Sequence, residues 1–279
     1  MNIYIIGLGL IGSSIARSIK KNQLEHKIYG CDINLDSVNY ALQENIIDEL
    51  FSYKTFQLDS SADSLIIVAA SPTVTANIFE ELKDLFHLDN LAITDVCSVK
   101  NHLIDAMHGI HESNVVLSHP MAGSHLSGVR VGEADLFRGR YVLLSPLHCT
   151  EHALRTVAEF WQSLDGITHA IKAEKHDELL AATSHLPHIL VYALLHHLQA
   201  KQITDLAKVS GGGLQSLLRI GSSSTKMWRD IFLLNKDNIT KEIDAVIDAL
   251  GLLKEYINQE PESLEDLLNS LKDFKEQNT

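Results

Sequence analysis

The chain has 279 residues, of which 45% are hydrophobic and 21% are charged, and this length fits about two globular domains with apolar cores. Its formal charge of -13 at pH 7 argues against a nucleic acid or an anionic membrane as the main partner, because both recruit clustered Lys and Arg. The three cysteines, Cys31, Cys97 and Cys149, lie far apart without a CxxC pair, so the sequence predicts neither a disulfide framework nor a zinc site.

Short apolar runs alternate with helical stretches over residues 1–172, which predicts successive βαβ units around a mainly parallel sheet. The predicted strands cover residues 3–6, 27–31, 65–69, 92–95, 115–118 and 141–145. We therefore expect an α/β fold class with an N-terminal Rossmann-type, doubly wound domain at residues 1–172. The first strand follows Met1 almost directly, which leaves no room for a signal peptide, and no apolar run reaches about 18 residues, so we expect a cytoplasmic location.

Leucine, isoleucine and alanine recur at helical spacing over residues 173–279, which predicts an all-helical C-terminal domain. The glycines at 211–213 and the serines at 222–224 are expected to separate its helices. The apolar stripe at residues 179–195 is expected to be buried against other helices. Together with the pattern at residues 243–253, it supplies more apolar surface than one small domain easily buries, so we expect this half to form a homodimer.

A glycine-rich turn, GLGLIG at residues 7–12, lies between the first predicted strand and a helical stretch. In this context a G-x-G-x-x-G motif binds a dinucleotide, with the pyrophosphate at the helix N-terminus. Asp32 ends the second predicted strand, where a carboxylate accepts hydrogen bonds from the adenine-side ribose and repels the extra phosphate of NADP. NAD is therefore the expected cofactor, and the expected binding residues are Gly7, Gly9, Leu10, Ile11, Gly12 and Asp32.

Polar clusters follow several predicted strands, at the edge where open α/β sheets hold their ligands. They are DVCSVK at residues 95–100 and HPMAGS at residues 119–124. Two more lie in the helical half, namely SHLPH at residues 184–188 and Arg219 followed nine residues later by Trp228. With these motifs in order after GLGLIGSS, the chain resembles the prephenate and arogenate dehydrogenases of tyrosine biosynthesis over nearly its whole length.

The resemblance implies the NAD-dependent oxidative decarboxylation of prephenate to 4-hydroxyphenylpyruvate. His119 would accept the proton of the ring hydroxyl while hydride leaves for nicotinamide, and Ser98 would orient this histidine and touch the same hydroxyl. The small-molecule substrate is then a dianion, and the implied substrate-binding residues are Arg219, His188, Ser124 and Trp228.

These residue types also suit the chemistry by themselves. An alcohol that is oxidised by NAD needs a base near the working pH, and histidine has the unperturbed pKa closest to it. A guanidinium binds a carboxylate bidentately, so Arg219 is the main expected anchor, with His188 as a second binder. The reaction requires no metal.

Other interpretations stay open at this point. Arogenate carries an amine where prephenate carries a ketone, and His125 stands where some relatives have an acid, which favours prephenate weakly. A 3-hydroxyacid dehydrogenase with a nicotinamide cofactor, or a non-catalytic NAD-responsive binding protein, would share the same domain plan. His188 and Trp228 are also compatible with a packing role, and Lys100 with closing a helix turn.

Overall fold

The structure, a computed structural model, describes residues 1–57, 62–107, 112–124, 126–259 and 261–278. The chain divides into two compact units, Met1–Asn235 and Lys236–Thr279. The predicted boundary between residues 172 and 173 lies inside the first unit and stays a prediction.

Within the described residues, the first unit contains an eight-stranded sheet. Its strands are β1 (Asn2–Ile6), β2 (Lys27–Cys31), β3 (Glu49–Leu50), β4 (Ser64–Val68), β5 (Leu91–Asp95), β6 (Val115–Pro120), β7 (Tyr141–Pro146) and β8 (Ile167–Ala170). Their order across the sheet is β3-β2-β1-β4-β5-β6-β7-β8. Neighbouring strands are parallel except β6 and β7, which are antiparallel. The connections thus change direction between β1 and β4, where such sheets bind ligands.

Both faces of this sheet are buried, because alternate residues of a strand such as β1 belong to two separate apolar cores. The described helices that pack on the sheet are α1 (Leu10–Lys21), α2 (Leu35–Gln43), α3 (Pro72–Leu82), α4 (Asn101–Ala106) and α5 (Glu151–Ser163). Helices α1, α2 and α5 cover one face of the sheet, and α3 and α4 cover the other face. The predicted doubly wound α/β architecture is confirmed.

All six predicted strands are present, with ends displaced by up to two residues. The sequence did not predict β3 and β8. Both side chains of β3 are exposed, and so are three of the four in β8. Neither strand therefore carries the apolar run by which the others were recognised.

The chain after β8 is helical, as predicted. Its helices in the first unit are α6 (Ala173–Leu180), α7 (Leu186–Ala200), α8 (Leu206–Val209), α9 (Gly212–Ile220) and α10 (Thr225–Leu234). Of the glycines at 211–213, which were predicted to separate helices, the first lies directly before α9 and the other two begin it. The serines at 222–224 lie directly before α10. A π-helical turn, Ala181–His185, joins α6 to α7. Such turns are rare and occur frequently at functional sites.

The apolar stripe at residues 179–195 is only partly buried within one chain. Leu180, Leu186 and Val191 are buried, whereas Leu179 and Leu190 are each 42% exposed. Within one chain the stripe is thus buried on one side only, because one layer of neighbouring helices covers only one side of a helix. By length and composition the segment Ala173–Ala200 is apolar enough to cross a membrane, a test that core helices of soluble proteins also pass.

The described part of the second unit consists of two long helices, α11 (Lys236–Gln259) and α12 (Pro261–Asn278). Considered by itself, this unit exposes a row of large apolar side chains. They are Ile247, Leu250, Leu252, Ile257, Leu268, Leu271 and Phe274.

Candidate active site

The sheet brings the predicted site residues of the first domain to one edge. The glycine turn follows β1, Asp32 follows β2, the 95–100 segment follows β5, and His119 lies near the end of β6. These four strands are parallel, so their carboxyl ends lie on the same side of the sheet. This edge is where open α/β sheets bind nucleotides and substrates.

The glycine turn is shaped for close backbone packing and for an anion. Gly7 has φ +100°, and a Cβ there would lie 2.4 Å from the Ala69 carbonyl oxygen. A Cβ on Gly12 would lie 1.9 Å from the Gly7 carbonyl oxygen, so helix and turn meet too closely for any side chain. Around Gly9, by contrast, a Cβ would meet no atom of the described residues within 4 Å, and none of their side chains caps α1. The free amides of Leu10 and its neighbours therefore fit a pyrophosphate.

Asp32 is held in a fixed orientation beside this turn. Its Oδ2 accepts a hydrogen bond from the Leu8 amide at 2.6 Å, and its Oδ1 accepts one from the Asn34 amide at 2.8 Å. Each carboxylate oxygen keeps a further lone pair, which a ribose hydroxyl can use. The donor set of the turn and Asp32 together fits an adenine dinucleotide without a 2′-phosphate.

A buried ion pair fixes the segment that follows β5. Lys100 Nζ lies 2.5 Å from Asp95 Oδ2 and donates to the Ser118 carbonyl oxygen at 2.7 Å, and both charged side chains are fully buried. Asp95 also accepts hydrogen bonds from the amides of Cys97 and Ser118. The pair thereby fastens the loop that carries Ser98 to β6, the strand that carries His119.

His119 is the first of three polar side chains in a row. Its Nδ1 lies 2.9 Å from His176 Nε2, and His176 Nδ1 lies 2.8 Å from Asp177 Oδ1. His119 is 8% exposed, while His176 and Asp177 on α6 are fully buried. The second ring nitrogen of His119, Nε2, has no hydrogen-bond partner in the described part of the chain. His119 is therefore held in place through Nδ1, while Nε2 is available to a ligand.

Burial lowers the pKa of His119 well below its usual value of 6.5, because the cationic form loses hydration. The nearby positive charges of His176, when it is protonated, and of Lys100 lower this pKa further. Burial also lowers the pKa of His185, to about 4. At neutral pH these rings are uncharged, so His119 is ready to accept a proton.

The π-helical turn and α10 form the second wall of the candidate site. His188 Nδ1 lies 3.0 Å from the Ser184 carbonyl oxygen, and the His188 ring stacks on Trp228 with centroids 3.5 Å apart. His185 Nδ1 lies 3.1 Å from Asn235 Nδ2. The buried nitrogen Trp228 Nε1 has no hydrogen-bond partner among the described residues, whereas His185 also lies within reach of the Ser98 backbone. Unpartnered buried donors of this kind are available to a ligand.

Ser98 and Ser124 occupy different surroundings. Ser98 is half-buried, and its hydroxyl forms no hydrogen bond to a described residue. Ser124 is exposed, accepts a hydrogen bond from the Leu126 amide at 3.2 Å, and lines a cavity of about 430 Å³ with Arg138 and Arg140. Residue His125 lies outside the described residues. The structure therefore leaves both hydroxyls free of strong internal partners.

Arg219 is exposed at the end of α9, and no acidic group in the described ranges pairs with it. The end of this helix packs on α7, because a Cβ on Gly221 would lie 3.1 Å from Val191 Cγ1. Val191 is one turn beyond His188 on the same helix. An unpaired guanidinium on this helix is available to an anion.

Sequence reasoning missed His176 and Asp177. They follow neither a strand nor a glycine turn, and only the fold shows that a helix residue contacts a histidine 57 positions earlier. A histidine and an acid adjacent in the first helix after the sheet were the available signal. The burial of Lys100 was also not foreseen.

Comparison with known families gives two matches that together span most of the chain. Residues 15–169 match the family described as "Prephenate dehydrogenase, nucleotide-binding domain". Residues 172–273 match the one described as "Prephenate dehydrogenase, dimerization domain".

Curated relatives carry related names. Prephenate dehydrogenase of Bacillus subtilis is 33% identical over 280 residues, covering 98% of this chain and 75% of the relative. Prephenate dehydrogenase of Lactococcus lactis is 32% identical over 265 residues, covering 90% and 71%. Cyclohexadienyl dehydrogenase of Zymomonas mobilis is 28% identical over 272 residues, covering 92% and 88%.

Solved structures agree with these matches. Prephenate dehydrogenase from Aquifex aeolicus, in complex with hydroxyphenyl propionate and NAD+, superposes with a TM-score of 0.90 at 32% identity, covering 99% of this chain and 98% of that one. Arogenate dehydrogenase from Synechocystis superposes with a TM-score of 0.77 at 21% identity over 100% of both chains, which shows a shared fold.

Proposed function

This chain belongs to the prephenate dehydrogenase family, and from that premise we propose that it catalyses the NAD-dependent oxidative decarboxylation of prephenate to 4-hydroxyphenylpyruvate in tyrosine biosynthesis. The observation that carries this proposal is the state of His119 at the carboxyl edge of the sheet. Its ring is uncharged at neutral pH, held through Nδ1, and free at Nε2. Such a group is the general base that oxidation of an alcohol requires.

The cofactor site is assigned to the turn after β1 and to Asp32. Gly7 and Gly12 give the turn its close packing, and Gly9 with the amides of Leu10, Ile11 and Gly12 would hold the pyrophosphate. The oriented carboxylate of Asp32 would bind the ribose and disfavour NADP. When bound, the nicotinamide supplies the hydride acceptor.

The substrate site is assigned to His188, Trp228 and Arg219 in the helical segment and to Ser98 and Ser124, which follow β5 and β6. Arg219 and His188 would bind the two carboxylates, and Trp228 holds the His188 ring in place. Ser98, whose hydroxyl forms no hydrogen bond to a described residue, would bind the reacting hydroxyl. Ser124 would line the entrance to the pocket.

In the proposed reaction, His119 Nε2 accepts the proton of the ring hydroxyl as hydride leaves the carbon that bears this hydroxyl. Loss of carbon dioxide then makes the ring aromatic, which drives the reaction forward. Lys100, Asp95 and Asp177 stay buried behind the base and do not contact the substrate. Their part is to hold the loop and the histidine in position.

Arogenate is the second candidate substrate. Position 125, where some relatives have an acid suited to an amine, is occupied by His125 here. This difference in charge favours prephenate, since an imidazole offers no permanent negative charge to an ammonium group.

We also infer a homodimer in the cytoplasm. Support comes from the matched dimerization domain and from the exposed apolar side chains of α11 and α12. Leu179 and Leu190 add apolar surface on the first unit. Large exposed apolar side chains are typical of surfaces that bind another protein chain. Sedimentation at micromolar concentration is expected to show twice the chain mass of 31.0 kDa, and a species of 31.0 kDa alone would contradict the dimer.

The decisive experiment is a turnover assay on the purified protein with NAD. With prephenate, NADH and carbon dioxide are expected to form in equal amounts. With arogenate the rate of their formation is expected to be lower, and with simple 3-hydroxyacids no turnover is expected. NAD binding without turnover of prephenate or arogenate would overturn the proposed activity and favour a non-catalytic NAD-binding protein.

A further inference from the structure

A continuous chain of hydrogen bonds links Nδ1 of the candidate base, the ring nitrogen opposite its free Nε2, to a buried carboxylate in the helical segment. It runs from His119 on β6 through His176 to Asp177, both on α6, over two contacts of 2.9 and 2.8 Å. All three side chains are buried, and the sequence analysis assigns no role to His176 or Asp177.

The direction of each hydrogen bond follows from the acceptor at the end of the chain. Asp177 accepts hydrogen bonds from two backbone amides, those of Lys100 and Asn101, both at 2.8 Å, so each of its two oxygens acts as an acceptor. An ionised carboxylate only accepts, so His176 must carry its proton on Nδ1 and a lone pair on Nε2. His119 must then donate from Nδ1, which leaves the lone pair on its Nε2.

We propose that His176 and Asp177 are positioning residues that fix the tautomer of His119 and stabilise the cation it becomes during turnover. The role in turnover rests on the proposed function, while the tautomer does not. When Nε2 accepts the substrate proton, the Nδ1–H of His119 donates a charge-assisted hydrogen bond to His176. The negative charge of Asp177 acts on this cation through the His176 ring, as the acid of a catalytic triad acts on its histidine.

Among the charged groups around the two rings, Asp177 is the one that can stabilise the cationic form of His119. Lys100 faces both rings but is neutralised by its contact with Asp95. His185 also faces His119, and burial keeps the pKa of His185 at about 4, so it is uncharged at neutral pH. Asp177 therefore supplies the negative charge that is not already paired with a cation. Because the two histidines share one hydrogen bond, they titrate as a pair.

The tautomers can be tested without substrate. Nitrogen NMR of the enzyme labelled in its histidines is expected to show His119 and His176 both protonated on Nδ1 at neutral pH. In a His176→Phe variant the preference of His119 for Nδ1 is expected to disappear. An Nε2-protonated His119 in the unaltered enzyme would overturn the proposal, whatever the substrate is.

Kinetics test the role in turnover. His176→Gln keeps an amide oxygen for the Nδ1–H of His119 but loses Asp177, and His176→Phe loses both. We expect kcat to fall roughly 10-fold for Gln and roughly 100-fold for Phe, less than when the acid of a triad is removed. The acidic limb of the kcat profile is expected to move to lower pH in both variants, because the cation loses stabilisation. KM for NAD is expected to stay unchanged.

His102→Gln is the matched control. This half-buried histidine on α4 lies 3.0 Å from the Pro72 carbonyl oxygen and does not hydrogen-bond to the chain of three residues. Its substitution is expected to leave kcat and the acidic limb unchanged. Equal losses in His176→Gln and His176→Phe without any movement of the acidic limb would mean that His176 only packs, and the proposal would be wrong. Absence of prephenate turnover in the unaltered enzyme would instead refute the proposed function and leave the NMR result standing.

Discussion

His188 lies against Trp228 as a stacked pair, with ring centroids 3.5 Å apart and planes 25° from parallel. The Ser184 carbonyl oxygen, 3.0 Å away, accepts from His188 Nδ1, so Nε2 carries a proton only in the cationic ring. Burial lowers the pKa of His188, which makes it mostly neutral in the free protein at neutral pH. Binding a carboxylate at Nε2 therefore requires uptake of a proton, which the electron-rich face of Trp228 favours.

Replacing Trp228 with Leu is expected to raise KM for the substrate, because the cationic His188 loses its aromatic partner. A cation–π contact contributes about 0.5–2 kcal/mol, which corresponds to roughly 2- to 30-fold. Trp228→Phe keeps an aromatic face and is expected to have a smaller effect. The measurement is KM as a function of pH, and in the unaltered enzyme KM is expected to rise with pH. An unchanged KM in Trp228→Leu would show that the stack only packs.

Replacing Arg219 with Ala is expected to raise KM for the substrate roughly tenfold, since a hydrogen bond to a charged group contributes about 1.5 kcal/mol. The exposure of Arg219 places this estimate at the lower end of the usual range. NAD affinity, measured by fluorescence titration, is expected to stay the same. Arg229→Ala is the control, because it removes another exposed cation, one on α10 that pairs with Asp230. If NAD affinity fell together with substrate affinity, Arg219 would have a structural role.

Replacing Asp32 with Ser is expected to weaken NAD and to improve NADP, because the ribose acceptor and the repulsion of the 2′-phosphate are both removed. The ratio of kcat/KM for NAD over NADP is the measurement, and we expect it to fall at least about tenfold, as for the loss of a charged hydrogen bond. Asp36→Ser removes an acid from the first turn of α2 and controls for net charge. An unchanged ratio in Asp32→Ser would show that this acid does not bind the ribose.

The sequence predicted the parts of the site that follow from local order along the chain. Asp32 and His119 lie at the ends of apolar strands, and parallel pairing alone brings such ends to one edge. The link from His119 to His176 depends on how a helix packs across that edge, over 57 positions, and no local pattern encodes it. The burial of Lys100 depends likewise on the tertiary position of Asp95 and Ser118. Exposed edge strands escaped prediction because they lack apolar periodicity.

Replacing Lys100 with Met is expected to lower the free energy of unfolding by about 3–5 kcal/mol, because the change leaves the Asp95 carboxylate buried without its cation. Urea unfolding measures the effect. Lys83→Met breaks an ion pair with Glu80 whose side chains are both more than half exposed, and it is expected to change stability little. A similarly small change in Lys100→Met would mean that the buried pair of Lys100 and Asp95 contributes little to stability.

Replacing His119 with Asn is expected to lower kcat roughly 10²–10⁴-fold, the usual contribution of a general base, while NAD binding persists. The base must be neutral to act, and burial lowers the pKa of His119 well below 6.5. In the unaltered enzyme kcat is therefore expected to hold through pH 6.5 and to fall only as the pH drops through this lowered pKa. The pH profile of kcat is the measurement, and the acidic limb is expected to disappear in His119→Asn.

Ser98→Ala provides the second arm of this test. Its half-buried hydroxyl has no internal partner in the described structure, so its loss is expected to affect the substrate hydroxyl rather than the fold. The loss in kcat is expected to be smaller than for His119→Asn, and the double variant is expected to lose less than the product of the two, because both side chains serve one proton transfer. A His119→Asn enzyme with near-normal kcat and an intact acidic limb would remove His119 from the mechanism.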